Sequence, residues 1–562
     1  MNATASPLMA SRVARLACVV TLVFAGAGHA TTYCVDINHP SASDENPGTV
    51  GLPWRTIQHA SETMVAGDTV LIRAGIYTEH VHTEHDGNDM EGSIVFSAYP
   101  GETPIIDGIG VEESQNCIVV DKSYITLNGL EIRNWNDNGV WVEGAAYLEI
   151  SDCIVHDVWC GIGLAHGAHD FEMNRIVVHH FMLYGFDASP SGGAACHHGT
   201  FNECISHTGS DPQQNVDGFA IGHGTQHDFV FNRCETYGVY DGFDIGENEG
   251  GGASNVLLNC CSAHECGNGG FKLWGHQVTL VNCLAYHNTV SNIELDWGGN
   301  PGTTVLHSCT LMDAGTYNVW VENSSDSLRM YNCILAGNDN IGLAFEQRDA
   351  RTYQGDHNIF HDDDGDRVII VGYEDEFSLD QVAAGDWAAY SGQDAHSRVV
   401  YSLGDLFVDP VSFDLHVLET SVAVDNGTAT DAPPVDHDGN PRPAGSGYDI
   451  GAFEHQFGAH GHGPSQPMGS PHAYLMGSSP NPFSHVTTIC YSLPQGGAVS
   501  LGVYDLLGRR VKSLVGGPLE AGVHQTSWDG CDDWERRCPG GLYFCRLRVR
   551  GTPSIHPLVV AR

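Results

Sequence analysis

The fold is decided by seven short segments that share one pattern: alternating apolar residues, a turn, and a small apolar residue. They are L-E-I-S-D-C (148–153), T-F-N-E-C (200–204), F-V-F-N-R-C (229–234), V-L-L-N-C-C (256–261), V-T-L-V-N-C (278–283), V-L-H-S-C (305–309) and L-R-M-Y-N-C (328–333). Their last positions, with Ile176 in the same slot, follow one another at intervals of 22 to 30 residues. The segments do not show the i, i+3, i+4 spacing of a helical repeat. The pattern predicts a β-solenoid with a buried column of small side chains.

Each coil also contains a second short strand, and these strands supply the candidate site. Examples are D-G-F-A-I (217–221), D-G-F-D-I (241–245) and G-G-F-K-L (269–273). Equivalent residues of stacked coils lie about 4.8 Å apart, so each column of the alignment becomes a row of neighbours. Since side chains alternate along a strand, one column should point into the core: Phe186, Phe219, Phe243, Phe271 and Ile293. The next column should point outward: Asp187, Ala220, Asp244, Lys272 and Glu294.

Three acidic side chains converge in this arrangement. Asp217 and Asp241 stand two positions before the apolar column and should stack on each other, with Asp244 beside them. Carboxylates this close repel unless a cation joins them, and an all-oxygen set suits Ca²⁺. The alternative is structural, because Asp-Gly is a common turn pair and solvated acids are expected in an acidic chain. The spacing leaves both interpretations open.

Lys272, on the next coil, is the candidate base. Only three of the 24 lysine and arginine residues are lysines: Lys122, Lys272 and Lys512. Arginine, with a pKa above about 12, is a poor base, whereas lysine releases its proton where its surroundings lower its pKa. A divalent cation nearby would lower it. The alternative is a surface lysine that pairs with Asp244 or Glu294.

The net charge of the chain excludes some classes of binding partner. The 562-residue chain has a formal net charge of −45 at pH 7, which disfavours nucleic acid and anionic membranes. An acidic polymer would need a cation between it and the protein. Residues 1–30, with Arg12 and Arg15 before an apolar stretch, predict a signal peptide and hence a secreted or cell-surface protein. No later segment is long and apolar enough for membrane insertion.

The flanks of the repeat suit a solenoid that occupies residues 31–455. Residues 54–65 predict an amphipathic helix that caps the first coil. A helical insertion is expected over 377–390, after the last clear coil. Residues 405–455 are expected to close the solenoid.

The motifs around Lys272 resemble those of the family-nine polysaccharide lyases, within the pectate-lyase-like class of right-handed parallel β-helices. In that family, aspartates of D-G-F and of D-D-G-x-D one coil later hold calcium, and N-G-F-K-L supplies a lysine base. The resemblance implies Asp217, Asp241 and Asp244 as calcium ligands and Lys272 as the catalytic base. Tyr240 departs from the pattern, because it stands where the first aspartate of the D-D pair is expected.

The C-terminal part has a different character. Residues 456–473 are rich in Gly, His, Pro and Ser and predict a linker. Residues 474–562 alternate as strands of a small β-sandwich. This tail resembles type IX secretion sorting domains and the related Ig-like hook-capping fold, which implies contact with secretion machinery. The predicted fold class is all-β, a right-handed parallel β-helix followed by an Ig-like sandwich.

The leading hypothesis is a secreted, monomeric, calcium-dependent lyase whose partner is an acidic polysaccharide. It would cleave a polyuronate such as pectate by β-elimination. Two rivals stay open. A non-catalytic adhesin or glycan-binding solenoid would use the aspartate columns structurally. A glycoside hydrolase would need two carboxylates about 5 to 9.5 Å apart, which Asp187/Asp244 or Asp244/Glu294 could supply.

Overall fold

The computed structural model describes most of the chain. The described residues are 30–111, 115–188, 193–210, 215–222, 225–246, 253–295, 302–322, 327–337, 340–346, 352–372, 374–456, 474–479, 486–493, 497–504, 510–519, 522–533, 536–538, 541–549 and 552–560. Residues 1–29 of the predicted signal peptide and 457–473 of the predicted linker lie outside this set.

Parallel strands between residues 32 and 399 form three columns, named here the first, second and third stacks. In the first stack, each strand pairs in parallel with the equivalent strand of the next coil. Its strands are Thr32–Val35, Thr69–Ile72, Ile94–Ala98, Ile125–Asn128, Ala146–Ser151, His169–Asn174, His197–Asn202, His227–Asn232, Ser254–Asn259, Gln277–Val281, Thr303–His307, Ser327–Tyr331 and Tyr353–Asp356. One strand per coil is the arrangement of a β-helix.

The second and third stacks share three long strands that pass from one stack into the other: Glu131–Glu143, Ile154–Ala165 and Val177–Asp187. The second stack also contains Ile76–Tyr77, Ile105–Asp107, Ile205–His207, Glu235–Tyr237, Ser262–His264, Leu284–Tyr286, Thr310–Met312, Ile334–Ala336, Ile359–Phe360 and Arg398–Val399. The third stack contains Val81–His82, Ile118–Val120, Asp217–Ile221, Phe243–Ile245, Gly269–Leu273, Ser291–Leu295, Tyr317–Val321, Ile341–Phe345, Ile369–Val371 and an antiparallel last strand, Asp375–Phe377. The predicted parallel solenoid is confirmed.

A row of phenylalanines forms the core behind the third stack. Phe186, Phe219, Phe243 and Phe271 stack face to face with centroid distances of 4.7, 4.8 and 5.0 Å. All four are buried, and Ile293 continues the row. Full burial of such a side chain stabilises the fold by about 1.5–3 kcal/mol. The inward column predicted from the sequence is confirmed.

The cysteine column is also a core feature. Cys153, Ile176, Cys204, Cys234, Cys261, Cys283, Cys309 and Cys333 are all buried, and the cysteines among them are free thiols. The residue before each of them takes a left-handed conformation, for example Glu203 and Arg233 at φ 54°. Asparagine amides two positions before the column donate to the amide oxygen of the previous coil at 2.8, 2.9 and 3.2 Å. These bonds satisfy polar groups at each turn, so the coils can stack closely.

The predicted helices exist with different bounds. The N-terminal helix spans Ile57–Thr63, shorter than predicted, because Thr56 caps it by accepting a hydrogen bond from the His59 backbone N–H. The insertion contains two short helices, Leu379–Ala384 and Asp386–Ser391. Gly385 divides them, since its φ of 88° ends the first helix.

Residues 403–455 lie along the side of the solenoid, whereas the sequence predicted that 405–455 closes it. Two 3-10 turns, Leu403–Asp405 and Pro410–Ser412, accompany an antiparallel pair, Phe407–Asp409 and Asp414–Val417. The later part bonds to turns of three successive coils: Asn282 donates to Val435 O, His307 Nε2 contacts Thr430 O, and Asn332 donates to Thr428 O, at 2.8–2.9 Å. It covers apolar side chains that the second stack turns outward, including Leu284, Met312 and Ile334.

The C-terminal part contains two antiparallel sheets around one hydrophobic cluster. The first sheet contains Tyr474–Ser479, Thr487–Leu493 and Gly522–Trp528. The second contains Arg510–Leu519, Gly497–Tyr504, Gly541–Val549 and Thr552–Val560. Its Ig-like identity stays a prediction. In the described part of the chain, no helix has the length and apolar character needed to cross a membrane.

Candidate functional site

Lys272 lies on the outer face of the third stack, in the strand Gly269–Leu273. Phe271 before it is fully buried in the core, so alternation turns Lys272 away from the core. The register pairs Asp244 with Lys272 and Lys272 with Glu294, while Asp187 pairs with Ala220. The predicted outward column is therefore a row of neighbours, with Lys272 between two acidic residues.

The ammonium group of Lys272 contacts two carboxylates and an indole. Its Nζ lies 3.2 Å from Asp241 Oδ2 and 3.1 Å from Asp244 Oδ2. The same atom is 4.3 Å from the centroid of the Trp274 ring. The Lys272 side chain is only 12% exposed. Sequence reasoning missed Trp274, although its position two residues after Lys272 places it on the same side of the strand.

The carboxylate of Asp241 is fully buried and held by neighbouring donors. Its Oδ1 accepts hydrogen bonds from Asn268 Nδ2 at 2.8 Å and from the Gly269 backbone N–H at 2.9 Å. A Cβ at Gly269 would lie 3.2 Å from that oxygen, so glycine permits this close approach. Asp217 Oδ1 accepts from the Asp241 backbone N–H at 3.3 Å. Asp217 and Asp241 therefore lie on adjacent coils, as predicted.

The electrostatics reflect three carboxylates around one cation. Burial raises the pKa of Asp217 well above its usual range, and the charges of Asp244 and Asp241 raise it further. Burial alone would lower the pKa of Lys272, but Asp244 and Asp241 outweigh burial and raise that pKa above its usual value. Without a cation beside them, these residues do not give the lowered pKa that a lysine base needs, because the carboxylates stabilise its charged form.

The three aspartates fit a calcium ion. One oxygen from each of Asp217, Asp241 and Asp244 lies within 4.8 Å of the other two. Ca²⁺–oxygen bonds of about 2.3–2.6 Å allow ligand atoms on opposite sides of the ion to be about 5 Å apart, so one ion can contact all three. The donors are all oxygens, which Ca²⁺ prefers. Burial, followed by the charges of Asp244 and Asp241, raises the pKa of Asp217, and a cation would offset the effect of those charges.

Two further side chains border the aspartates. Tyr240, at the position where a fourth ligand was expected, is half-buried, and burial followed by the charge of Asp241 raises the pKa of its phenol. A neutral phenol adds no charge to a cation site. Burial, Asp241 and Glu322 raise the pKa of Glu294 to about 7. Sequence reasoning identified Glu294 only as a possible partner of Lys272 or of Asp244.

The chain is similar to known β-helix proteins over part of its length. A family model described as "Pel9A-like, right handed beta helix region" matches residues 37–332. Pectate lyase PEL9 of Emericella nidulans is 37% identical over 71 residues, which are 12% of this chain and 17% of that protein. Protein YwoF of Bacillus subtilis is 35% identical over 125 residues, 20% of this chain and 26% of that protein. The aligned segments thus span about a quarter or less of these curated relatives.

Among solved structures, the crystal structure of pectate lyase Pel9A aligns with 15% sequence identity and a TM-score of 0.49, over 77% of this chain and 98% of that one. The sequence homology to family-nine lyases is distant. The family model nevertheless covers more than half of the chain, including all four predicted site residues. The protein therefore belongs to the Pel9A-like family of right-handed β-helices.

Proposed function

We propose that the protein is a secreted polysaccharide lyase that cleaves an acidic, pectate-type polysaccharide by β-elimination. One observation carries the proposal: the Lys272 Nζ lies 3.2 and 3.1 Å from the carboxylates of Asp241 and Asp244, on the outer face of a Pel9A-like helix. An amine among carboxylates that fit calcium is the pairing that proton removal beside a uronate carboxylate requires.

Asp217, Asp241 and Asp244 would hold the calcium ion. When bound there, calcium would neutralise the C5 carboxylate of a uronate and make the adjacent C–H more acidic. Since Asp241 and Asp217 are fully buried and Asp241 is fixed by Asn268 and Gly269, these ligands need little reorganisation. A cation at this place would also reduce the repulsion between an acidic polymer and a chain of net charge −45.

Lys272 would act as the base. Its Nζ would take the proton from C5, and the electron pair of that C–H bond would form a C4–C5 double bond. The bond from C4 to the glycosidic oxygen breaks at the same time, and the leaving oxygen takes a proton from water. The amine must first lose its own proton, which Asp241 and Asp244 now stabilise. If Asp241 and Asp244 also bind a calcium ion, they would stabilise the ammonium form of Lys272 less. The Trp274 ring would limit where the amine moves.

The test is the chemistry of the products. A lyase leaves an unsaturated uronide that absorbs in the near ultraviolet, so a panel of polyuronates is incubated with the protein, with calcium and after chelation. Lys272→Arg keeps the charge and removes the base, and should reduce the rate by at least about a hundredfold. Lys122→Arg is the matched control, because Lys122 pairs with Asp121 elsewhere on the helix. A Lys272→Arg variant with wild-type turnover would contradict the assigned role.

A glycoside hydrolase is the second candidate, because burial places the pKa of Glu294 at about 7, near that of a general acid. The register puts Asp244 and Glu294 two coils apart, a backbone separation of about 9.6 Å. This is close to the upper limit of about 9.5 Å for inverting enzymes. New reducing ends without ultraviolet absorbance, lost in Glu294→Gln, would favour this function. If neither product forms on any polymer, the non-catalytic adhesin is the better account.

A further inference from the structure

A second cluster of ligand-type side chains lies at the last strand of the first stack, on a different face from Lys272. Asp356 ends the strand Tyr353–Asp356, and His357 follows it in a left-handed conformation with φ of 57°. His396 belongs to the segment that returns from the two-helix insertion. The cluster therefore joins two parts of the chain that are 40 residues apart.

The Asp356 carboxylate is oriented by the backbone. Its Oδ1 accepts hydrogen bonds from the backbone N–H groups of His396 at 2.7 Å and His357 at 3.0 Å. Its Oδ2 faces the two imidazoles, 2.7 Å from His396 Nδ1 and 3.5 Å from His357 Nδ1. One oxygen is thus used by the main chain, and the other is presented to both rings.

The Nδ1 atom of His357 is a buried polar atom whose hydrogen-bonding capacity is unused among the described residues. It is buried, and it has no hydrogen-bond partner within the described ranges of the chain. Its distance of 3.5 Å from Asp356 Oδ2 is long for a hydrogen bond. A buried ring nitrogen aimed at a fixed carboxylate is a feature that a metal ion would explain.

We propose that Asp356, His357 and His396 form a binding site for a divalent transition-metal ion of the zinc class. One ligand atom from each lies within 4.8 Å of the other two. Tetrahedral Zn²⁺ with bonds of about 2.0–2.2 Å places its ligand atoms about 3.4 Å apart. The 3.5 Å between His357 Nδ1 and Asp356 Oδ2 is close to that value. His396 Nδ1, which is hydrogen-bonded to Asp356 Oδ2 at 2.7 Å, would exchange that bond for the ion. Two imidazole nitrogens select zinc-class ions over Ca²⁺.

The position of the site indicates a structural role for the ion. The returning segment is already attached to the same coil, because Asp394 accepts hydrogen bonds from Tyr353 Oη at 2.7 Å and Trp387 Nε1 at 2.8 Å. A metal bound by Asp356, His357 and His396 would add a second attachment at the edge of this contact. His396 is 67% exposed, so water can occupy the fourth ligand position.

The test uses the full chain, freed of metal by a chelator and then titrated with Zn²⁺ alone in a calorimeter. His396→Ala removes an exposed ligand with little risk to folding, and Asp356→Asn removes the charge but keeps an oxygen for the backbone. His85→Ala, at an exposed histidine outside the cluster, is the control. Wild type and control should bind one more equivalent of Zn²⁺ than His396→Ala and Asp356→Asn, or bind that equivalent more than about tenfold more tightly.

Two further measurements depend on the same site. Zn²⁺ should raise the thermal unfolding midpoint of wild type and control more than that of either ligand variant. Co²⁺ should give the visible absorption of a tetrahedral site in wild type and lose it in His396→Ala. The proposal is overturned if the ligand variants match wild type in Zn²⁺ stoichiometry and affinity. Because no polysaccharide is used, the result is independent of the proposed lyase activity.

Discussion

Replacing Lys272 by methionine tests the site by stability alone. Methionine keeps most of the length of the side chain but removes the ammonium that Asp241 and Asp244 contact at 3.2 and 3.1 Å. The carboxylate of Asp217 is on the adjacent coil, and burial together with the charges of Asp244 and Asp241 already raises its pKa. The variant would therefore bury three carboxylates without the cation that now balances them.

The expected loss follows from the burial of the group. The side chains of Lys272, Asp241 and Asp244 are 12%, 0% and 17% exposed, so solvent screens their contacts weakly. Removing one partner of a buried ion pair costs about 3–5 kcal/mol, because the other partner is left buried and charged. We expect Lys272→Met to lower the free energy of unfolding of the solenoid by about this amount in the presence of a chelator.

Calcium should reverse part of that loss. The ammonium and a calcium ion compete for Asp241 and Asp244, so the methionine variant should bind calcium more tightly than wild type. Calcium at about 100 times its dissociation constant would restore about 2.7 kcal/mol. The assay is denaturant unfolding followed by tryptophan fluorescence, with and without calcium, and calcium affinity is measured by calorimetry.

Lys122→Met is the matched control. Lys122 pairs with Asp121, and their side chains are 28% and 29% exposed. Its loss should cost no more than about 1 kcal/mol, as for a surface pair. If Lys272→Met in chelator costs as little as the control, the site is not the buried cluster described above. If calcium stabilises the variant no more than wild type, the three aspartates do not form a cation site.

Three other predictions follow from particular residues. Tyr240→Asp adds a carboxylate beside the aspartates and should strengthen calcium binding in calorimetry; unchanged affinity would show that this position does not reach the ion. Burial and the charge of His180 lower the pKa of His207 from 6.5 to about 4. His207 therefore takes up a proton at a higher pH in the unfolded chain than in the folded one, and the free energy of unfolding should fall as the pH drops from 6.5 towards 4. His207→Tyr, which copies the stacked Tyr237 of the next coil, should reduce that fall in thermal midpoints measured at about pH 8 and about pH 5. Deletion of 474–562 should leave the unfolding midpoint of the solenoid and its turnover unchanged; unfolding of the truncated chain would show that the sandwich supports the helix.

Much of the site could be predicted because a solenoid converts sequence spacing into distance. The period of the coils places Asp244, Lys272 and Glu294 in one register, and alternation along each strand separates Phe271 from Lys272. These are local properties of the chain, repeated coil by coil. Charge and donor type then suggested that Asp217, Asp241 and Asp244 share a cation, and their oxygens are close enough for one.

The direction of the Lys272 pKa shift was decided by tertiary structure. The sequence places an amine near carboxylates but does not show whether Nζ contacts them, turns towards solvent or lies against an indole. Its contacts with Asp241, Asp244 and Trp274 depend on side-chain rotamers and on burial, which the packing of neighbouring coils sets.

Sequence by itself determined the β-helix, the inward and outward columns and the residues paired with Lys272 on the neighbouring coils, because period and alternation repeat in every coil. Only the tertiary structure decided the course of 403–455 along the flank and the meeting of Asp356 with His396. Both depend on contacts between segments that no repeat relates. Such contacts are selected by the shape and hydrogen-bonding groups of a surface that exists only once the coils have stacked.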